Sequence, residues 1–207
     1  MENMNMPISG EDDVQNKTVK EERQKSFLSY LHDMVFALAV ILIVFMLVFR
    51  LVIVDGPSMR RTLEDGDSLI LLNSVFYFEP KQGDVIVACK EEYKNGEPII
   101  KRIIATEGQQ VDIDFDAGVV YVDGECLDEP YVNTPTNLFE GTIFPVVVQK
   151  GQYFVMGDNR NDSKDSRDPE IGLIDKREIL GRAIFLALPG VSPEINKRDF
   201  SRIGVLQ

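Results

Sequence analysis

The sequence predicts a mostly β protein: an antiparallel β domain carried behind one N-terminal transmembrane helix. Three observations predict it. The 207-residue chain has a single long uncharged apolar run, residues 34–49, near its start. Beyond that run, apolar residues alternate or cluster in short segments bounded by Gly, Pro, Asn-Gly and Asp-Gly. Helical periodicity is scarce there, which favours a barrel- or sandwich-like arrangement of strands. The length allows one compact domain, or one with a smaller domain inserted, plus a tail and an anchor.

Residues 1–29 are polar and mixed in charge and read as a disordered tail that turns helical toward Ser26. The span is expected over 30–50. The run 34–49 alone would make a helix of roughly 24 Å, short of a bilayer core of about 30 Å. Tyr30 and Leu31 before it, and a snorkelling Arg50 after it, lengthen it to a crossing. Residues 37–45 are apolar on every helical face, unlike a core helix with one wet side. The Val54-Asp55-Gly56-Pro57 that follows is not a small-residue cleavage site, so the run reads as a retained anchor. Lys17, Lys20, Arg23 and Lys25 precede it and favour an inside N-terminus, although Arg50, Arg60 and Arg61 follow it.

Strands are expected at 51–54, 67–72, 84–89 and 99–105, punctuated by Gly66, Pro80, Gly83, Asn95-Gly96 and Pro98. Residues 111–115 (Val-Asp-Ile-Asp-Phe) alternate strictly, which marks a strand with one buried and one wet face. Ala117-Gly118 turns it into 119–122, and Asp123-Gly124 is a two-residue hairpin signal. Further strands are expected at 146–149, 152–156 and 183–188.

Composition excludes several functions. The 34 acids against 22 bases give a net charge of -12, which argues against a nucleic-acid partner. Cys89 and Cys126 form no CxxC, so no zinc site, metal or cofactor is expected, and the spacing does not decide whether they pair. The one histidine, His32, precedes the apolar run. A serine hydrolase in the β domain therefore has no imidazole base, and a Ser-His-Asp triad is excluded by inventory.

Three segments carry candidate chemistry. Ser58 follows Gly56-Pro57 at the end of a strand, in a setting unlike the G-x-S-x-G elbow because Arg60 takes the last glycine position. Fully extended at about 3.3 Å per residue, the chain from Phe49 to Ser58 reaches only roughly 30 Å, so this hydroxyl stays near the lipid surface. Lys101 interrupts Ile99-Ile100 and Ile103-Ile104 beside Arg102, and neighbours on a strand point to opposite faces, so one of the two faces inward or lies at an edge. A lysine desolvated by apolar neighbours loses preference for its charged form, the state needed to take a proton from a serine. The run from Gly157 to Arg167 (Gly-Asp-Asn-Arg-Asn-Asp-Ser-Lys-Asp-Ser-Arg) is dense in turn formers and paired charges.

Taken in order behind an N-terminal span, these three motifs resemble the type I signal peptidases, the membrane-bound Ser/Lys endopeptidases of bacterial secretion. The resemblance runs from the anchor to about Pro189 and is similar to the compact single-span members common in Gram-positive bacteria. It implies Ser58 as nucleophile and Lys101 as unprotonated general base. It implies that Ser163 orients the lysine amine, that Asp165 and Arg167 form a supporting ion pair, and that Met59 packs near the substrate subsites. Gly157, Asp158, Asn159 and Arg160 would shape the loop carrying Ser163. The implied fold is an antiparallel β catalytic domain, 51–107 and 151–207, with a smaller, variable β insertion at 108–150. The implied substrates are preproteins cut after small residues at the first and third positions before the bond. Shallow apolar pockets near Ser58 and the Ala88 strand would select those residues. The partners implied are these preproteins and membrane lipid, with a cytoplasmic tail and an extracytoplasmic catalytic domain.

The chain departs from the family pattern in places. Arg61 stands where proline is usual, and Ala105, Glu107 and Gln109 differ from the residues usual after the lysine. Gly56 stands where some relatives carry a hydroxyl that helps bind the oxyanion, which leaves the Ser58 N–H as the expected donor. Two other classes compete. A self-cleaving repressor would need a DNA-binding module where this chain has its apolar run. A non-catalytic membrane-anchored β relative would not need Ser58, Lys101 and the charged loop together.

Overall fold

The computed structural model describes residues 10–91, 93–192 and 196–206. It divides into two compact units, Met1–Met46 and Leu47–Gln207, the second of which holds the β strands. Helix α1 spans Gly10–Val48. Its segment Ser26–Val48, 23 residues, is long and apolar enough to cross a membrane; at 1.5 Å per residue it is about 34 Å long. Side chains on all its faces are exposed, Phe36, Leu38, Ile41 and Leu42 among them, which suits lipid and not a protein core.

Two boundaries differ from expectation. Residues 10–29 continue α1 toward the N-terminus in place of a disordered tail; their Lys, Glu, Gln and Arg are good helix formers that extend a helix already nucleated. The part of the expected tail at 1–9 lies outside the described residues. At the other end Phe49 and Arg50 leave the helix for strand β1, Phe49–Ile53, so Arg50 does not extend the span. The run Phe-Arg-Leu-Val-Ile is a good strand sequence, and it finds a full antiparallel partner in β2, Ser68–Asn73, from Phe49↔Leu72 to Ile53↔Ser68.

The other strands are β3 Val85–Cys89, β4 Pro98–Ala105, β5 Gln110–Asp114, β6 Val119–Val122, β7 Glu125–Cys126, β8 Val146–Val147, β9 Gln152–Met156, β10 Ile174–Asp175, β11 Ile179–Leu188, β12 Val191–Ser192, β13 Lys197–Arg198 and β14 Gly204–Val205. The main sheet runs β1-β2-β11-β3-β4-β9-β10, with β14 also on β11, and a smaller sheet runs β7-β6-β5-β8. All pairings are antiparallel, β12 with β13 included. In β5, Val111 and Ile113 are buried between exposed neighbours, as strict alternation requires. Asp123 and Gly124 both take positive φ, 54° and 81°, the type I′ geometry that matches strand twist. Strand β10, the first half of β11 and the short C-terminal strands carry little alternation and were not expected.

The core forms three clusters. The third joins Val111, Ile113, Val120 and Val122 of the small sheet to Ile104, Phe154 and Met156 of β4 and β9. Shared burial of this kind binds the insertion to the ends of the two strands that carry Lys101 and the charged loop.

Candidate active site

β1 continues as an extended segment beyond its last sheet residue, with Val54 N–H donating to Asp67 O at 2.8 Å. The chain then turns. Gly56 has φ 92° and donates its N–H to Asp65 Oδ1 at 2.9 Å. Arg60 N–H returns to Pro57 O at 2.9 Å, and Leu63 N–H to Met59 O at 2.8 Å. Met59 is 1% exposed and anchors this turn in the core with Leu63, Leu69 and Val87, so Ser58 is held at the lip of a cleft. Arg61 adopts φ 85°, which a proline cannot, and donates to Val132 O at 3.2 Å.

Across the cleft, β4 presents Lys101, opposite Ile86 of β3. Its Nζ lies 2.7 Å from Ser58 Oγ, a hydrogen bond. Lys101 and Arg102 are both buried, at 5% and 1% exposure. Both side chains are covered, so neither cation faces open solvent. Arg102 makes a bidentate pair with Asp158, 2.9 and 2.8 Å, donates to Gly83 O at 2.7 Å and lies 4.0 Å over the Tyr131 ring. Thr62, four residues past the nucleophile candidate, donates its hydroxyl to the same Asp158 carboxylate. Arg102 and Asp158 thus tie β4, the Ser58 turn and the charged loop together.

That loop leaves β9 and returns along it, with Ser166 N–H donating to Val155 O at 3.0 Å and Val155 N–H donating to Ser166 Oγ at 2.9 Å. Asn159 clamps the Ser58 turn, its N–H on Ser58 O at 3.0 Å and its side-chain amide on Pro57 O at 3.1 Å. Asp165 is fully buried and receives the Gly157 N–H at 2.9 Å, the Ser163 hydroxyl at 2.8 Å and two Arg167 donors at 2.8 Å. Burial alone would disfavour the Arg167 charge, but the hydrogen bonds and charge of Asp165, with Glu140 beyond, hold the guanidinium ionised. Arg160, also fully buried, pairs with Glu129 and donates to Thr136 Oγ1 at 3.0 Å and Gly157 O at 3.0 Å. Gly157 fits where no side chain could. A Cβ there would lie 2.2 Å from Ser163 Oγ and 2.5 Å from Ser58 O.

The result is a cleft of about 670 Å³ whose lining includes Gly56, Ser58, Met59, Lys101 and Ser163. One wall is Val52, Val54 and the Ser58 turn, the other Ile99 and Ile100 of β4, and a third side is formed by Leu138, Glu140 and residues 161–164. Asp165 and Arg167 lie behind Ser163, not in the lining. The expected contribution of the Ala88 strand is corrected: Ala88 is 2% exposed and packs with Ile86 and Val155, because β4 lies between it and the cleft. Arg102, Glu129, Tyr131, Thr136 and Glu140 surround the site, and of these only Arg102 drew notice in the sequence. Arg102 was legible from its alternation with Lys101; the others carry no sequence signal, since they come from an irregular segment folded over the loop. Cys89 and Cys126 are free thiols, and no group of three or more His, Cys, Asp or Glu among the described residues could hold a metal.

The family described as signal peptidase, peptidase S26, matches residues 27–188. A signal peptidase I of Bacillus licheniformis is 34% identical over 185 residues, covering 86% of this chain and 96% of its own. Signal peptidase I T of Bacillus subtilis (strain 168) is 34% identical over 181 residues, covering 84% and 91%. A solved structure of a signal peptidase I from Enterococcus faecalis V583 is 28% identical and covers 51% of this chain and 97% of its own, with a TM-score of 0.41. The family match spans both segments that form the cleft as well as the apolar run, and on it the chain belongs to the signal peptidase family, peptidase S26.

Proposed function

We propose that this chain is a membrane-anchored serine endopeptidase that removes N-terminal signal peptides from exported preproteins, with Ser58 as nucleophile and Lys101 as general base. The observation that carries the reading is the 2.7 Å separation of Ser58 Oγ from Lys101 Nζ, in a chain whose one histidine lies in α1. Lys101, acting unprotonated, takes the Ser58 proton as Oγ attacks the scissile carbonyl. The Ser58 N–H has no acceptor among the described residues, and it is the donor for the oxyanion that forms. The lysine ammonium then protonates the leaving amine, and the acyl-enzyme is hydrolysed by a water that Lys101 deprotonates in turn. Ser163 donates its hydroxyl to Asp165, which leaves its oxygen free to accept from the Lys101 amine and hold it toward Ser58.

The backbone suits an extended peptide. β9 pairs with β4 only from Arg102 onward, so the 98–101 stretch has an open edge on the cleft side. β1 is the terminal strand of its sheet. A peptide strand laid between these edges gains main-chain hydrogen bonds, and Val52, Val54, Ile99 and Ile100 narrow the pockets to small side chains.

The membrane is the second proposed partner. β1 starts at the residue after α1 ends. Directly paired residues across β1, β2, β11 and β14 form one apolar row, Leu51, Ile70, Phe185 and Val205, whose two ends are 75% exposed. Such a row suits the lipid interface from which a signal peptide emerges. The tail is proposed to be cytoplasmic and the β unit extracytoplasmic. Nothing in the site favours the non-catalytic alternative. Ser58→Ala and Lys101→Ala should each abolish preprotein cleavage while leaving thermal unfolding unchanged. Near-normal activity of Lys101→Ala at neutral pH would refute the dyad.

A further inference from the structure

The chain leaves the main sheet after β1 and rejoins it at β2, and the excursion between them carries Ser58. The backbone closes the base of this excursion. Val54 N–H donates to Asp67 O at 2.8 Å, and Gly66 N–H to Val54 O at 2.9 Å. At the closure the Asp67 side chain is fully buried. Its Oδ2 receives Glu64 N–H at 2.8 Å and Arg202 Nη2 at 2.7 Å. Its Oδ1 receives Gly190 N–H at 2.7 Å and Arg202 Nη1 at 3.1 Å. The arginine thus meets both carboxylate oxygens, the bidentate geometry that fixes direction as well as distance. Arg202 Nη2 also donates to Thr62 O at 3.3 Å.

Thr62 carries that hold to the nucleophile. Its N–H and that of Leu63 both return to Met59 O, at 3.1 and 2.8 Å, and Arg60 N–H returns to Pro57 O at 2.9 Å. Residues 57–63 are therefore one hydrogen-bonded turn. The Thr62 hydroxyl goes to Asp158, the partner of the Arg102 that adjoins Lys101. Arg202 is placed in turn by its own segment. Asp199 caps the single 3-10 turn Phe200–Arg202 by accepting the Ser201 N–H at 3.0 Å. β14 then pairs with β11, and Leu206 packs on the cluster that holds Met59 and Leu63. Gly190 lets the chain after β11 reach the same base, since a Cβ there would lie 2.1 Å from Asp65 O.

We propose that Arg202 is a positioning residue: its guanidinium, spanning the buried Asp67 carboxylate and the Thr62 carbonyl, sets the Ser58 turn at its distance from Lys101. The inference rests on the peptidase reading above. Neither Arg202 nor Asp67 lines the cleft, so removing the arginine leaves the peptide's contacts in place and acts on the reacting pair. Its loss belongs in kcat and not in KM. A lysine cannot do the same work, because an ammonium is a point donor while the planar fork meets two carboxylate oxygens and a carbonyl together.

The test uses the full chain in detergent micelles with a preprotein substrate. Both kcat and KM are measured for wild type, Arg202→Ala and Arg202→Lys, well below the melting transition of each, so that lost stability does not itself lower the rate. A misplacement of 1 Å costs on the order of 100-fold, but Asn159 still clamps Ser58 O from the other side. Arg202→Ala should therefore lose about ten-fold in kcat, with KM within about two-fold of wild type. Arg202→Lys should lose about three-fold. Arg177→Ala removes an exposed arginine paired with Asp175 and should leave both constants unchanged. A folded Arg202→Ala variant with wild-type kcat, or with its loss wholly in KM, overturns the proposal. Should Arg202→Ala fail to fold, Arg202→Lys decides, and a wild-type kcat there overturns it as well. Failure of the wild-type chain to cleave the preprotein would instead sink the peptidase reading.

Discussion

Gly157→Ala tests whether the site depends on the close approach of three backbone segments. The new Cβ would lie 2.2 Å from Ser163 Oγ, 2.5 Å from Ser163 Cβ and 2.5 Å from Ser58 O. Ordinary contact begins near 3.4 Å, so the loop and the Ser58 turn must separate by about 1 Å. Rotating the Ser163 side chain away does not remove the clash, because Ser58 O is backbone. It would also cost Asp165 the Ser163 hydroxyl. Moving the loop instead strains the Asn159 clamp on Ser58 O. A misplacement of 1 Å costs on the order of 100-fold in rate, while overpacking costs about 1–3 kcal/mol of stability. The assay is kcat/KM on a preprotein, read beside thermal unfolding of the same preparation. Gly204→Ala is the control, since a Cβ there meets nothing within 4 Å. A Gly157→Ala variant that keeps its rate within three-fold of wild type would refute the claim that this contact sets the alignment of Ser58.

Two further outcomes are expected. Asp158→Ala leaves Arg102 buried with its main partner gone (side-chain exposures 2% and 0%); the loss of about 3–5 kcal/mol should lower the melting temperature by on the order of 10 °C. A milder effect of the paired change Arg102→Met with Asp158→Leu would assign the loss to the orphaned charge, and an equally large one would not. The proposed orientation makes the exposed thiol of Cys126 reactive toward a membrane-impermeant maleimide in intact protoplasts, with the signal lost in Cys126→Ser. Labelling that requires permeabilised cells would reverse the topology.

The sequence by itself determined the local and chemical facts. Alternation placed β5, the Asp123-Gly124 pair placed the turn from β6 into β7, and the apolar run placed the membrane-competent part of α1, because strand faces, turn φ values and burial in lipid each follow from neighbouring residues. The lack of any histidine past position 32 removed the imidazole before any geometry was known, and the Lys101-Arg102 pair announced a strand with one cation on each face. Only the tertiary structure decided that both cations are buried, that Lys101 reaches Ser58 from a point 43 residues away, and that the cleft wall is β4 and not the Ala88 strand. It alone brought Glu129, Tyr131 and Glu140 from an irregular segment onto the buried arginines of the loop and of β4. Such contacts depend on which chain segments are packed together, and no local periodicity encodes the partner of a buried charge.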